Sequence, residues 1–302
     1  MNIVKYRNLF FAFSLLIIIP GLVALTIWGL KLGIDFEGGT LWEIKFSEVA
    51  DSNQINPHDV QNVLVENGAE VSSVAKTSGN SVLVRMKVSD EAKINGLKDK
   101  LEESYGPTED LRLDTVGPTI SKELTQKAAL AVALSILGIV VYITWAFRQV
   151  PKPTSPIAFG ICTIFALIHD VIVVVGIFAI LGHFFAIEID SLFITALLTV
   201  IGFSVHDTIV VFDRIRENLH KYSGDYSFAE VVNHSLVQTL GRSLNTSLTV
   251  VLVLLALLLF GGNSIKNFVL ALLIGVISGT YSSIFNAAPL LVVWQKFRNS
   301  FK

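Results

Sequence analysis

Residues 200–218 read VIGFSVHDTIVVFDRIREN, an apolar helical run with a carboxylate, Asp207, set inside it and a charged cluster, Asp213 to Glu217, at its end. With the apolar residues before it the run is long enough to cross a bilayer, which takes about 20 such residues. A bare carboxylate in hydrocarbon costs roughly 2.5 to 3.5 kcal/mol on insertion scales, so one that persists there marks an ion or proton relay. Asp207 sits in the inner half of the span, too deep to snorkel on so short a side chain. Its helical-face neighbours are Phe203, Ser204, Val210, Val211 and Arg214. The alternative role is a carboxylate fixed in a permanent salt bridge.

The rest of the chain agrees with a membrane setting. Of 302 residues, 52% are hydrophobic and 16% charged, against about 25% charged in soluble domains; mean hydropathy is +0.62. The charge is unevenly spread: residues 31–127 hold 11 of the 23 Lys and Arg but 17 of the 25 Asp and Glu. That split predicts an acidic soluble domain grafted onto a membrane part with basic loops. A net charge of −2 gives no reason to expect nucleic acid. The single Cys162 excludes internal disulfides and Cys-based metal sites.

Stretches 9–30, 127–147, 157–181, 191–212, 243–261 and 267–294 read as six membrane-spanning helices. The chain divides accordingly into a first helix within 1–30, an α+β domain at 31–120 and a five-helix region at 121–302. The first span follows Lys5 and Arg7 like a signal peptide, but it is too long and lacks a small-residue cleavage site, so it reads as an uncleaved anchor. Basic residues flank one side throughout: Lys5 and Arg7; Arg148 and Lys152; Arg214, Arg216, Lys221 and Arg242; Lys296, Arg298 and Lys302. The opposite loops, 182–190 and 262–266, offer only Lys266. The basic side is the cytoplasmic one, so both termini lie inside and roughly residues 31–126 outside.

In the outer domain, Thr40–Phe46 alternates like a strand, and Asn56-Pro57-His58-Asp59 opens a helix through Asn67 that Gly68 stops. Glu70–Lys76 and Ser81–Val88 form a hairpin around Ser78-Gly79-Asn80; Ser89-Asp90-Glu91 caps a second helix through Tyr105, ended by Gly106-Pro107; Asp110–Val116 is a last strand. This β-α-β-β-α-β order is that of the ferredoxin-like split βαβ motif. No Walker loop, HExxH or nucleophile elbow occurs, and Gly38-Gly39-Thr40 reads as a tight turn rather than a phosphate site. No enzyme chemistry and no cofactor is therefore expected, and any work must draw on something other than a nucleotide.

Arg242 is the natural partner for Asp207. It opens the fifth span, and Asn245, Thr246 and Thr249 continue a polar stripe from it. A guanidinium whose distance changes could switch the carboxylate between holding and releasing a proton; otherwise Arg242 belongs to the basic loop and only fixes topology. Asp170 echoes Asp207: His169-Asp170 lies mid-span in the third helix, His206-Asp207 in the fourth. Either imidazole could exchange a proton with its carboxylate, or His169 satisfies a buried carbonyl. Gly275, Gly279, Ser283, Ser282, Asn286 and Pro289 in the sixth span read as close-packing residues. An aspartyl protease dyad would want glycine beside its carboxylates, whereas here the flanks are His and β-branched residues.

These motifs resemble the SecF family, protein-export membrane subunits of the SecDF complex within the resistance-nodulation-division superfamily. Gly33-Ile34-Asp35-Phe36-Glu37-Gly38-Gly39 is similar to the family's motif where the first span meets the outer domain, and Val116-Gly117-Pro118 to its exit motif. Ala166 to Asp170 fits the third span, Leu198 to Asn218 the fourth, and Gln238 to Ser243 with Thr246-Ser247 the start of the fifth. One departure is His206, where the family commonly has Asn. The resemblance implies SecD as obligate partner, six spans each, beside the Sec translocon channel, with unfolded preproteins as cargo in the bacterial inner membrane. It implies a proton route through Asp207, Arg242 and a partner aspartate, driven by the proton motive force. Sodium as coupling ion stays open. Asp170, Asp213, Arg214 and His206 are supporting candidates, and Gly33, Asp35, Gly38, Gly39, Gly117 and Pro118 domain–membrane linkers. The rival functions are a proton-coupled small-molecule exporter of the same superfamily and a structural scaffold of the translocon.

Overall fold

The computed structural model describes residues 2–47, 55–77, 80–87, 90–151, 153–222 and 226–300. Ser78, Gly79, Val88, Ser89, Lys152 and Lys302, invoked above as turn, strand-end, cap or flanking residues, lie outside the described residues. The chain forms two compact units, Leu32–Ala128 and Met1–Lys31 with Ala129–Lys302.

In the first unit alternation builds a sheet. Strands β1 (Gly39–Phe46), β2 (Val71–Lys76), β3 (Ser81–Met86) and β4 (Thr108–Val116) run in the order β2-β3-β1-β4, every neighbour antiparallel. Trp42, Ile44 and Phe46 of β1 and Val82, Val84 and Met86 of β3 share one buried face, as a period of two requires. Val60 and Leu64 of α2 (Pro57–Glu66) and Ile94, Leu97 and Leu101 of α3 (Glu91–Tyr105) belong to the same core. Both helices start on caps legible in the sequence: Asn56 Oδ1 accepts from the His58 N–H at 3.1 Å, and Asp90 Oδ1 from Ala92 at 3.1 Å. The topology is the ferredoxin-like one. A bulge between Glu43 and Ile44, with Asp110 accepting from Trp42 Nε1 at 2.8 Å, was not foreseeable from alternation. Gly39 has φ +113°, and a Cβ there would meet the Met86 carbonyl at 2.5 Å, so only glycine starts β1.

The second unit is helical: α1 (Arg7–Ile27), α4 (Pro118–Ala146, whose first turns belong to the other unit), α5 (Pro156–Phe185), α6 (Ser191–Lys221), α7 (Phe228–Phe260), α8 (Lys266–Ser282) and α9 (Ala288–Ser300). A π-helical turn, Ser283–Ala287, joins the last two. Six helical stretches are long and apolar enough to cross a membrane. Small residues set the closest approaches. Gly21 of α1 meets Gly176 of α5, where an added Cβ would stand 2.6 Å from the Gly21 Cα. Gly275 of α8 meets Val200 of α6, where a Cβ would stand 2.1 Å from a Val200 methyl.

One expectation needs correction. Residues 213–242 are not a loop: α6 runs on to Lys221, and α7 opens at Phe228 under a Ser227–Glu230 capping box. Arg214, Arg216 and Arg242 are therefore helical residues, and Arg242 lies well inside α7. Hydropathy marks the lipid-covered part of a helix, whereas charged residues carry the helix on in water. The hairpin is tied by Asn218 Nδ2 donating to Ser235 Oγ at 2.8 Å and Arg214 Nε to Gln238 Oε1 at 2.5 Å. The helix that carries the second span begins at Pro118, so the Gly117-Pro118 segment leads straight into it. The sixth span keeps a helical course through the π turn.

Gly275→Ala is expected to destabilise the protein by about 1–3 kcal/mol through overpacking against Val200. In thermal unfolding of the detergent-solubilised protein, adding Val200→Ala should recover part of that loss. Simple addition of the two penalties would show that this contact does not set the approach of α6 and α8.

Candidate functional site

Asp170, on α5, is 1% exposed, and its carboxylate is surrounded by donors. Ser204 Oγ of α6 donates to Oδ2 at 2.5 Å, Ser282 Oγ of α8 to Oδ2 at 2.7 Å and Ser278 Oγ of α8 to Oδ1 at 2.7 Å. His169 Nδ1 lies 2.9 Å from Oδ1. Ser278 and Ser282 are one helical turn apart, so α8 presents both hydroxyls on one side. Gly279 between them lets the helices close: a Cβ there would stand 3.1 Å from Ser204 Cβ and 3.6 Å from Asp170 Oδ2. The network continues outward. His169 Nε2 lies 3.1 Å from Ser14 Oγ on α1, and the Asn286 amide of the π turn brackets the same hydroxyl, Nδ2 at 2.8 Å and Oδ1 at 3.1 Å. Four donors on one carboxylate offset the cost of burying it, which unpaired would be prohibitive.

Asp207 is held differently. It lies three residues beyond Ser204 on α6, 3% exposed, yet among the described residues its Oδ2 has no hydrogen-bond partner. Ser247 of α7 is its polar neighbour. Ser247 Oγ also donates to the Ser243 carbonyl at 2.9 Å and accepts from Thr280 Oγ1 of α8 at 2.6 Å. The Ser243 hydroxyl is likewise buried without a partner. Two polar atoms left dry at this α6–α7 contact contrast with the saturated carboxylate on α5.

Asp207 and Arg242 are not closed into an ion pair: none of Arg242 within 4.0 Å occurs among the described residues, and the side chain is exposed, although its charge still acts on the Asp207 carboxylate. Helix rotation is the reason. Ser243 and Ser247, four residues apart, are the buried positions of α7, which turns Arg242, Asn245, Thr246 and Thr249 outward. The Thr246 hydroxyl bonds back to the Arg242 carbonyl at 2.8 Å and Thr249 to Thr246 at 2.7 Å. The polar stripe exists but faces away from the bundle. His206 is exposed too, so only the His169-Asp170 pair of the two His-Asp pairs makes a side-chain hydrogen bond.

The remaining candidates stand apart. Asp213 pairs with Arg216 at 2.6 Å, and Arg214 reaches Glu217 at 2.5 Å, securing the exposed end of the α6–α7 hairpin. Asp35 lies in one helical turn, Ile34–Glu37, after Gly33; Gly38 follows at φ +77°. A Cβ on Gly38 would stand 3.3 Å from Ser121 Oγ and 3.4 Å from the Val116 carbonyl, so this segment meets the Gly117-Pro118 segment closely. No hydrogen bond joins Asp170 to Asp207, so they do not form a shared-proton dyad. Among the described residues no three His, Cys, Asp or Glu side chains gather as a metal site. Ser14, Ser204 and Ser278 had no reading as site residues, and Ser282 and Asn286 were read as packing. The available signal was Ser278, Ser282 and Asn286 at four-residue spacing on one helical face.

Comparison with known proteins follows the same lines. Residues 96–297 match the family described as protein export membrane protein SecD/SecF, C-terminal, and residues 23–48 the SecD/SecF GG motif. A protein translocase subunit SecF of Thermobaculum terrenum is 51% identical over 98% of this chain and 94% of its own. One from Anaerolinea thermophila is 46% identical over 100% and 97%. The crystal structure of SecDF, a translocon-associated membrane protein from Thermus thermophilus, superposes with a TM-score of 0.82 at 33% identity. That match covers 98% of this chain and 39% of the SecDF chain, so this chain spans less than half of that protein.

The contrast between the acids is measurable. Asp170→Ala strips the acceptor from four buried donors and should cost about 3–5 kcal/mol in thermal or denaturant unfolding. Asp207→Asn should cost within about 1 kcal/mol, because the carboxylate it replaces is already short of partners. Equal penalties would contradict the division.

Proposed function

We propose a function on one premise: the chain belongs to the SecD/SecF protein-export family, in its SecF branch. It is a multi-pass membrane protein and a subunit of the Sec protein-export machinery, working with SecD. We infer further that it lies in the bacterial inner membrane with both termini cytoplasmic. It uses the inward flow of protons to draw preproteins outward after translocation begins. No nucleotide motif offers another energy source.

The observation that carries this reading is the buried, half-partnered carboxylate of Asp207 beside a polar face that a second subunit would cover. Taking up a proton at that dry oxygen breaks no hydrogen bond among the described residues. The outward guanidinium of Arg242 asks for a counter-ion, because a charged side chain on a spanning helix faces protein or water rather than lipid. An acidic group on the facing span of SecD meets that need, so the proton route runs along the junction of the two subunits. Proton arrival at Asp207 removes a charge from the α6–α7 contact, and the hairpin shifts against α8. A charge crossing the full potential yields about 2.3 kcal/mol per 100 mV, while about 5.5 kcal/mol moves a two-state element from 1:99 to 99:1. A few protons per cycle therefore suffice. The Gly33–Gly39 and Gly117-Pro118 segments carry the motion into the outer domain along the chain.

In vesicles holding the SecD-containing complex, Asp207→Asn should lower preprotein export under a proton gradient to the level seen with the gradient collapsed, with insertion unchanged. Arg242→Lys should do nearly the same, since the charge survives but the planar fork does not. Wild-type rates for Asp207→Asn would favour a passive scaffold. Dye efflux from the same vesicles would favour a small-molecule exporter, and a sodium gradient replacing the proton gradient would change the ion.

A further inference from the structure

His169 has no part in the scheme above, yet it is 7% exposed in the centre of the helices with both ring nitrogens engaged. The atoms around it support two complete hydrogen-bond schemes without moving a heavy atom. In the first, the neutral ring donates Nδ1–H to Asp170 Oδ1, Nε2 accepts from the Ser14 hydroxyl, and Ser14 accepts from Asn286 Nδ2–H at 2.8 Å. In the second, the ring is an imidazolium: Nε2–H donates to Ser14 Oγ, and the Ser14 hydroxyl turns to donate to Asn286 Oδ1 at 3.1 Å. A hydroxyl that both donates and accepts, backed by an amide with one of each, absorbs the added proton by reversing direction.

The charge balance points the same way. With the ring neutral, Asp170 is a net negative charge among three neutral hydroxyls in the centre of the bundle. Among the described residues His169 is its only ion-pair partner. Protonation converts the cluster to a compact ion pair with no net charge, far cheaper to bury. The groups facing the ring from each element are few. Asp170 shares its own helix, Ser14 comes from α1, Ser204 reaches the carboxylate from α6, and α8 brings Ser278, Ser282 and Tyr281. The Tyr281 ring lies 6.3 Å away, and its hydroxyl donates to the Phe10 carbonyl at 2.8 Å and is itself a hydrogen-bond neighbour of Ser14. The π turn adds Asn286. Asp170 and Tyr281 are thus the titratable neighbours, and no Lys, Arg or Glu among the described residues pairs with either member of the couple.

We propose that the His169–Asp170 couple is a second proton-binding site, filled at His169 and read out at the Ser14–Asn286 junction between α1 and the π turn. Balance is simple: one proton arrives and forms the Nε2–H bond from the ring's lone pair, only hydrogen bonds change elsewhere, and the proton leaves when that N–H bond breaks. The π turn is apt for such a junction, since these rare helical turns collect at functional sites. Helix α1 is the segment whose chain runs on into the Gly38-Gly39 motif and β1, so a change in its grip on α5 and the π turn passes along the chain into the outer domain. The use of this site in export rests on the proton-driven reading; its protonation does not.

The test is solid-state nitrogen NMR of the histidine-labelled SecD-containing complex in lipid vesicles, titrated from about pH 5 to about pH 9 around the ordinary His range. The His169 signal is identified by its loss in His169→Gln. The expected result is conversion from a neutral Nδ1–H ring to an imidazolium within that range. Ser14→Ala should lower the midpoint by at least about one pH unit, a tenfold loss of proton affinity, because the new Nε2–H loses its acceptor. Ser14→Thr, which keeps a hydroxyl, should titrate like the wild type. A ring that keeps one protonation state throughout, or a midpoint indifferent to Ser14→Ala, overturns the proposal. Running Asp207→Asn in parallel separates the two readings: normal His169 titration with normal gradient-driven export would sink the function proposed above and leave this site standing.

Discussion

A carboxylate taken out of water must be met by donors, and Asp170 draws them from its own helix and from two others at once. Ser204, Ser278, Ser282 and His169 all converge on its two oxygens, and through Ser14 and Asn286 the same network reaches α1 and the π turn. The arrangement depends on how closely the helices approach. Glycine at 279 brings α8 near enough to α6 for the hydroxyls to share one anion, and glycines at 21, 176 and 275 hold the neighbouring contacts at comparable distances. Losing any of these spacings would leave a buried charge with unmet bonds, so packing and electrostatics constrain the same few positions.

Asp207 shows what the same constraint does when it is deliberately left unmet. It sits one turn beyond Ser204 on α6, also buried, with one oxygen and the neighbouring Ser243 hydroxyl lacking partners among the described residues. Such a site is poised to accept a proton or a counter-charge. Next to it on α7, Arg242 and Asn245 face outward from a helix apolar enough to cross a membrane. Soluble proteins place such residues in water. In a membrane helix they mark a surface that expects company, in keeping with a family whose solved SecDF relative is more than twice as long as this chain's match to it. One acid has donors on both oxygens, and the other has an oxygen with none among the described residues.

Much of this was legible in the residues. The six apolar stretches stand out because lipid tolerates little else, and the outer sheet because Thr40–Phe46 and Ser81–Met86 alternate so regularly. The two aspartates draw attention by being out of place. Helix ends were misjudged because hydropathy fades where water begins while the helix continues, as from Phe212 to Lys221 and from Phe228 to Arg242. That Arg242 acts on Asp207 is legible from charge, but how near the two stand depends on helix phase, which the buried Ser243 and Ser247 decide. The serines of the Asp170 network were invisible for a chemical reason. Hydroxyls in membrane helices usually bond their own backbone, as Thr144, Thr163 and Thr208 do here, so a serine carries no sign that its bond goes elsewhere until the helices are packed.

The central claim is that Asp207, and not Asp170, takes up and releases the driving proton as a carboxylic acid. Infrared difference spectroscopy of the SecD-containing complex between acid and alkaline pH reads that state directly. The account predicts a protonated-carboxyl band that vanishes in Asp207→Asn and survives in Asp170→Asn. A band that survives in the first and vanishes in the second would contradict it.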